Sequence, residues 1–525
     1  MVGRASLAGP PTQQVRDEHD KAVVRLSQLV KSRPGALLSI RRRPEQSHCA
    51  RVHNYKRGAV KLDLSGFTKV LGVEELRSMD EIPPHLRKLA LAADNELVAI
   101  ADVQAMISFE ELVDALLPMG LIPAVVPEFK GITVGGSLQG LAAESTSFVY
   151  GFVHDVITGF EALLGDGTVL WCSPTSNAEL YYSLPGSFGS LAICTRIRVL
   201  CIKAKPFVRV TCRPFASQSE ILAHMSSVQD AAKDSSALFS HNRRCDMIEG
   251  IGFGKKSFVA VEGTFSSGSD DEDEGLEHSR CNLWGYKWFY NQVHDKIKAS
   301  TSGWRRWFGA TPSSPLLPLS STAAPSFLLP TKDYLFRHDR GSFFMASYRI
   351  PQIIGQFLMG PLLDNSAMFH LANLLPWAFP KSQIVLQDFM LPRSSCESFF
   401  TQSDEISSVW PIWLLPMRNF AANQQEEKTA VFGARKDDVG DLCNVGVYGI
   451  PRNRYSFEQA NKLLEAVLFQ HGGRKVYYSH SFYDREFFYN TLYNGQRYFG
   501  LRKKYGAEGA LPEMWDKIVV KDGVL

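Results

Sequence analysis

The segment Pro127–Leu200 opens with PEFKGITVGGSLQG (Pro127–Gly140) and closes on GSFGSLAICTRIRVL (Gly186–Leu200). Gly135 and Gly136 follow the β-branched pair Ile132 and Thr133. That pattern ends an extended run in a turn whose amides have no Cβ in front of them. Fifty residues on, Gly186-Ser187-Phe188-Gly189 makes a second tight turn ahead of a strand pattern from Ile193 to Val199. Two glycine turns bracketing one module predict a long, anionic, dinucleotide-like ligand.

Outward from this block the order of segments is informative. AVKLDLSGFTKVLGVE (Ala59–Glu74) and LVAIADVQAMISFEELVDALLPMGLIPAVVPE (Leu97–Glu128) read as strand, strand, helix and a Gly-Leu-x-Pro turn. Then come Thr133-Val134-Gly135-Gly136, Tyr150-Gly151, Asp155, Gly165-Asp166-Gly167 and Gly189. This series resembles the flavin domain of the vanillyl-alcohol-oxidase/p-cresol-methylhydroxylase superfamily. Within it the chain is most similar to the Δ24-sterol reductases, through SRPGALLSIRR (Ser32–Arg42), KWFYNQVHDKI (Lys287–Ile297), YLFRHDR (Tyr334–Arg340), VLQDFMLP (Val385–Pro392), PIWLLP (Pro411–Pro416), VGVYGIPR (Val445–Arg452) and YDREFF (Tyr483–Phe488).

The resemblance implies an α+β fold: a two-part FAD-binding domain over residues 1–204, then an α+β cap or substrate domain over 205–525 whose C-terminal segment returns to the flavin. It implies FAD with its diphosphate on the backbone amides of Gly135, Gly136, Ser137, Leu138 and Gly140, flanked by Thr133 and Val134. Hydroxyls of Ser137 and Ser145, the turn at Gly151, the Asp155 carboxylate and the Gly189–Ile193 turn complete the expected cofactor set. The superfamily's Gly-Gly-His linking loop is missing from SRPGALLSIRRRPEQSHC, where His48 is the nearest histidine, so the FAD is expected to be non-covalent. Ala192 stands where many relatives have glycine.

Size and composition narrow the classes. At 525 residues and 45% hydrophobic content the chain is long enough for two or three domains with real cores. A net charge of +3 with mixed signs predicts no nucleic-acid partner. Nine scattered cysteines without a CxxC pair predict neither a structural metal nor a disulfide framework. No signal peptide and no run of 18 apolar residues is seen; Phe357–Phe379 is interrupted by Asp364, Asn365 and His370. Asp17–Val30 reads as an amphipathic helix with Val23, Val24, Leu26, Leu29 and Val30 on one side. Ser266–Gly275 (SSGSDDEDEG) is expected to be a disordered acidic loop, and residues 310–325 a proline- and serine-rich one. Asn282–Phe308 interleaves Trp284, Trp288, Trp304 and Trp307 with lysines and arginines, which suits peripheral contact with a membrane surface. The expected place is the cytoplasmic face of the endoplasmic reticulum, or the cytoplasm.

The expected reaction is reduction of a sterol side-chain double bond, with NADPH as co-substrate. The GxG string Gly250–Gly254 lacks the spacing and setting of a dinucleotide fingerprint, so NADPH is expected to visit the open flavin face. An isolated alkene needs an acid as well as hydride. Tyr334, Arg337 and His338 in one cluster, and His480 in another, are the candidates, with Arg337 alternatively steadying a reduced, anionic ring. Three rival readings are an FAD oxidase, dehydrogenase or double-bond isomerase of another apolar metabolite, a flavin-binding partner protein without turnover, and an ether-lipid synthase.

Overall fold

The structure is a computed structural model that describes residues 13–43, 46, 54–76, 78–87, 97–233, 245–308, 324–345, 354, 365, 367, 383–420 and 440–520. Residues 310–323 of the proline- and serine-rich run 310–325, His48 and nearly all of Phe357–Phe379 lie outside the described residues.

Two antiparallel sheets carry the fold. The first orders β3 (Val70–Glu75), β4 (Leu97–Gln104), β8 (Ile193–Lys203), β6 (Ile157–Leu163) and β7 (Val169–Cys172), with β5 (Leu121–Pro123) also paired to β8. β8 is central, and only Lys203 at its end is exposed, as a strand covered on both faces requires. β1 (Leu38–Arg41) and β2 (Val60–Asp63) form a small parallel pair beside it. The second, eight-stranded sheet runs β12 (Ser326–Pro330), β9 (Phe207–Phe215), β11 (Ser257–Ser266), β10 (Met247–Gly254), β14 (Ile412–Met417), β15 (Leu442–Gly449), β13 (Val385–Pro392) and β16 (Arg474–Lys475). β9 shows the period-two signature: Val208, Val210, Cys212 and Pro214 are buried and the residues between them are not.

Helices close these sheets for local reasons. Phe109–Leu116 starts on a capping box between Ser108 and Glu111 and buries Phe109, Leu112, Val113 and Leu116, one helical stripe. The N-terminal helix spans Gln13–Lys31 and buries Val23, Leu26 and Val30 against Leu38, Leu62, Ala507 and Leu511, so segments far apart in sequence share a core. Val24, expected on that face, is exposed, because Val23 and Leu26 set the buried stripe.

Two expectations change. Ser266–Gly275 is folded: Asp271–Asp273 forms a 3-10 turn, Asp273 is buried against the Ser266 hydroxyl, and Arg209 pairs with Glu272 and Asp273. Acidic residues fold here because a half-buried arginine on β9 neutralises them. In Asn282–Phe308, Trp288 is fully buried with Phe289 and Val293, whereas Leu283, Trp284 and Tyr286 are exposed at 48, 62 and 42%. The side chains of Trp304 and Trp307 lie outside the described residues.

Candidate functional site

One continuous cavity of about 300 Å³ runs from the glycine turns to the inner face of the eight-stranded sheet. Thr133, Gly135, Gly136, Ser137, Gly140, Gly189 and Ile193 line its first end, together with Ala192, Arg42, Lys56 and Lys517. The other end is walled by Phe343, Leu386, Met390, Trp413, Leu415 and Met417.

At the first end the glycines serve close packing. Thr133 caps the helix Val134–Gly140, its hydroxyl accepting from the Gly136 amide at 3.1 Å. The Gly135 amide donates to the Ala105 carbonyl at 2.8 Å, and a Cβ at Gly135 would meet that oxygen at 2.8 Å and the Ala105 methyl at 3.0 Å. The Val134 and Ser137 amides donate to the carbonyls of Ile107 (3.1 Å) and Thr133 (2.9 Å). Of the amides expected to face the diphosphate, that of Gly135 is therefore spent on the turn after β4 and those of Gly136 and Ser137 on Thr133 at the start of their own helix. The polar atoms left for a ligand are side chains. Ser137 Oγ and Gln139 Oε1 are buried without a hydrogen-bond partner in a cavity they line, an arrangement that costs stability unless something bonds them. Lys517 Nζ stands 3.1 Å from the Gly189 carbonyl and 5.4 Å from the Tyr55 ring centre.

At the far end the polar groups are few and acidic. Glu128 and Asp388 both line the cavity. Asp388, on β13, accepts from Asn444 Nδ2 at 2.6 Å and from the Tyr448 phenol at 2.5 Å. β13 and β15 set Asp388 opposite Gly446, and any side chain at 446 would strike the Tyr448 ring and phenol; glycine keeps the route from Tyr448 to Asp388 open. Burial pushes the Asp388 carboxyl upward, opposed by hydrogen bonds from Tyr448, Asn444 and Tyr478. Glu128 is pushed well above the usual carboxylate range by burial, with the charges of Glu144 and Asp388 adding to it; its own backbone amide and Arg337 oppose.

Behind the apolar wall lies a buried ionic network. Arg337 donates from Nε to Glu249 (2.7 Å), from Nη2 to Glu144 (2.7 Å) and from Nη1 to the Tyr334 carbonyl (3.0 Å). Glu249 also pairs with His338 Nε2 at 2.8 Å and accepts from Trp413 Nε1 at 2.6 Å. Burial would raise the Glu249 carboxyl, but Arg337 and His338 outweigh it and hold it well below its usual range. His338 stacks on Phe343 at 4.4 Å, so the network fixes two rings, Phe343 and Trp413, that face the cavity.

Comparison with known proteins agrees with this geometry. Residues 39–173 match the family described as FAD binding domain. The Delta(24)-sterol reductase of Mus musculus is 26% identical over 430 residues, covering 80% of this chain and 74% of that protein. The Arabidopsis thaliana Delta(24)-sterol reductase is 24% identical over 524 residues, covering 95% and 84%. The crystal structure of a VAO-type flavoprotein from Myceliophthora thermophila C1 superposes with a TM-score of 0.53 at 14% identity, over 90% of this chain and 74% of that one. The chain is an FAD-dependent oxidoreductase related to the Δ24-sterol reductases.

The flavoprotein's residues fit FAD. The orphaned Ser137 hydroxyl, three cations and a turn at Gly189 suit a diphosphate at one end of the cavity, and the orphaned Gln139 amide oxygen suits a hydroxyl or amino donor of the cofactor. Of the other residues expected around the cofactor, Val134 and Leu138 point into the core, and Ser145, Gly151 and Asp155 do not line the cavity. Ser145 reaches β10 through its carbonyl, which accepts from the Ile248 amide at 2.9 Å. Asp155 accepts from the Phe152 amide at 2.8 Å and lies 3.7 Å from both His85 and His154. Its carboxyl is pushed up to about 6 by burial, with His85 opposing.

Nor do Tyr334, Arg337, His338 and His480 line the cavity; all four are buried. Arg337 and His338 are held by Glu249, Tyr334 lies beneath the Arg337 guanidinium at 4.4 Å, and His480 packs edge-on against Phe457. Sequence reasoning missed Glu128, Asp388, Lys56 and Lys517. A lone aspartate inside the apolar run VLQDFMLP was the available signal for Asp388. Gly250 and Gly252 lie in the interior of β10, close against Leu414 and Ile412 of β14. Among the described residues there is no group of His, Cys, Asp and Glu that could hold a metal ion, and no helix long and apolar enough to cross a membrane.

Proposed function

We propose that this oxidoreductase reduces an isolated carbon–carbon double bond in the side chain of a sterol or sterol-like lipid, with NADPH as the hydride source. The observation that carries the reading is the chamber of Phe343, Leu386, Met390, Trp413, Leu415 and Met417, continuous with the basic, FAD-fitting end of the same cavity. Such a wall binds a hydrocarbon by excluding water and gives it no hydrogen bonds to satisfy. FAD, when bound, supplies two electrons as hydride.

The protein's own part is to hold the cofactor and to position the alkene. Arg42, Lys56 and Lys517 neutralise the diphosphate and the Ser137 hydroxyl donates to it, while Gln139 Oε1 accepts from a hydroxyl or amino group of the cofactor. The Glu249 network holds Trp413 and Phe343 in place, so the apolar slot keeps its shape. The nicotinamide enters through the same cavity, which gives alternating turnover. Leu283, Trp284 and Tyr286, with Lys287 beside them, provide a peripheral contact with the endoplasmic reticulum surface from which the lipid is drawn.

The test is anaerobic. Purified holoprotein is reduced with NADPH, then given a sterol bearing a side-chain double bond while flavin absorbance is followed. Recovery of the oxidised spectrum with the saturated sterol as product supports the reading. Reoxidation by air alone, with no response to sterol, refutes it and favours an oxidase of another apolar metabolite.

A further inference from the structure

The apolar chamber holds two carboxyl groups that the reaction, as described so far, leaves without a role. Glu128 sits on the segment joining β5 to the helix Val134–Gly140, and that segment is fixed from both sides. The Lys130 amide donates to Asp339 at 3.1 Å, the Lys130 carbonyl accepts from the Glu110 amide at 3.2 Å, and Phe129 meets Phe343 edge-on at 5.3 Å. Glu128 is thus held at the junction of the FAD-fitting end and the chamber, and no ion pair to it forms among the described residues. Asp388 also lines the cavity, from the sheet, with its carboxylate held by Tyr448 and Asn444. Glu144 faces Glu128 as well, but its charge is committed to Arg337. Burying two carboxyls in an apolar slot costs free energy that hydrocarbon binding gives no reason to spend, and Gly446 leaves room for the Tyr448 phenol beside one of them.

We propose that Glu128 is the acid that protonates the alkene, and that Asp388, held by Tyr448 and Asn444 on the wall of the same cavity, is a positioning carboxylate for that transfer. The proposal rests on the reductase reading above. The π pair of the alkene takes the Glu128 proton at the less substituted carbon, leaving Glu128 as a carboxylate and positive charge on the tertiary carbon. That carbon accepts hydride from the reduced flavin, so the product gains two hydrogens and two electrons and the flavin is oxidised. Glu128 recovers its proton from solvent once product leaves, because a carboxylate there faces Asp388 in a dry site.

Flavin reduced with dithionite removes the nicotinamide from the test. In holoprotein so reduced, Glu128→Gln is expected to slow sterol-dependent reoxidation by about 10²–10⁴-fold, with bound flavin as the check on folding. An infrared carbonyl band of a protonated carboxylic acid, present in the wild type at neutral pH, should vanish in Glu128→Gln. In Asp388→Asn the same band should persist but be lost at a lower pH, and the reoxidation rate should fall with it, since the facing negative charge is gone; Asp388→Glu should restore the wild-type profile. Wild-type reoxidation rates in Glu128→Gln, or a carbonyl band unmoved by either substitution, overturn the proposal while leaving the reductase reading intact. Wild-type holoprotein that never reoxidises with sterol overturns both.

Discussion

Replacing Arg337 by methionine tests whether this arginine is an element of architecture. Its side chain is fully buried and bonds two carboxylates, Glu144 and Glu249, that are themselves 3% and 0% exposed. Methionine fills much of the same volume and removes both charge-assisted bonds. Glu249 keeps His338 and Trp413 and Glu144 keeps the Ser145 amide, so the cost is that of two hydrogen bonds to charged groups at about 1.5–3 kcal/mol each, about 3–6 kcal/mol together. Urea unfolding at pH 7, followed by the fluorescence of buried tryptophans such as Trp413, should show that loss. Arg337→Lys returns the charge but not the fork that reaches both carboxylates, and should recover about half. The deficit should shrink with acidity. Glu249 has its carboxyl depressed in the folded protein, so its stabilising share is present above the unfolded value near 4.5 and is lost as pH falls below it. A loss under about 1 kcal/mol at pH 7, where only surface pairs fall, would refute the reasoning.

Further outcomes follow from other sites. Lys517→Gln should weaken FAD binding by about tenfold, the worth of one charge-assisted bond, measured by titrating apoprotein with FAD. Asp155→Asn should flatten the pH dependence of stability. The wild-type carboxyl is raised in the folded state to about 6, so its neutral form favours the fold below the usual range near 3.8 and about 3 kcal/mol is lost as pH rises to 6; urea midpoints between pH 4 and 7 measure it. Replacing Leu283 and Trp284 by serine should cut recovery in liposome flotation while leaving bound flavin unchanged, since both are exposed outside the core.

The fold was legible because its signals are local: glycine turns and strand and helix patterns follow one another along the chain in the order that the resemblance to the flavin domain implies. Seven of the expected cofactor-site positions, among them Gly135, Gly136, Gly189 and Ile193, do line the cavity. What sequence could not supply was direction. Gly135 looked like an open amide and is a packing contact with Ala105. Arg337 and His338 looked like chemistry because they are ionisable and adjacent, yet Glu249, hidden in a glycine-rich string on β10, turns both away from the cavity. Asp388 and Glu128 are single acids among apolar residues, and only the register of β13 against β15 and the path of the Pro127–Ile132 segment bring them to the same chamber. The acidic run at 266–275 folds because Arg209, more than fifty positions earlier, waits for it.

The basic end of the cavity is assembled from Arg42, Lys56 and Lys517, the last two 461 positions apart. A ribosome must therefore have released position 517 before the cradle exists at all. Cofactor loading becomes a post-synthetic event, and a chain nicked or frayed at either side of that clasp would lose its pigment well before it lost its sheets.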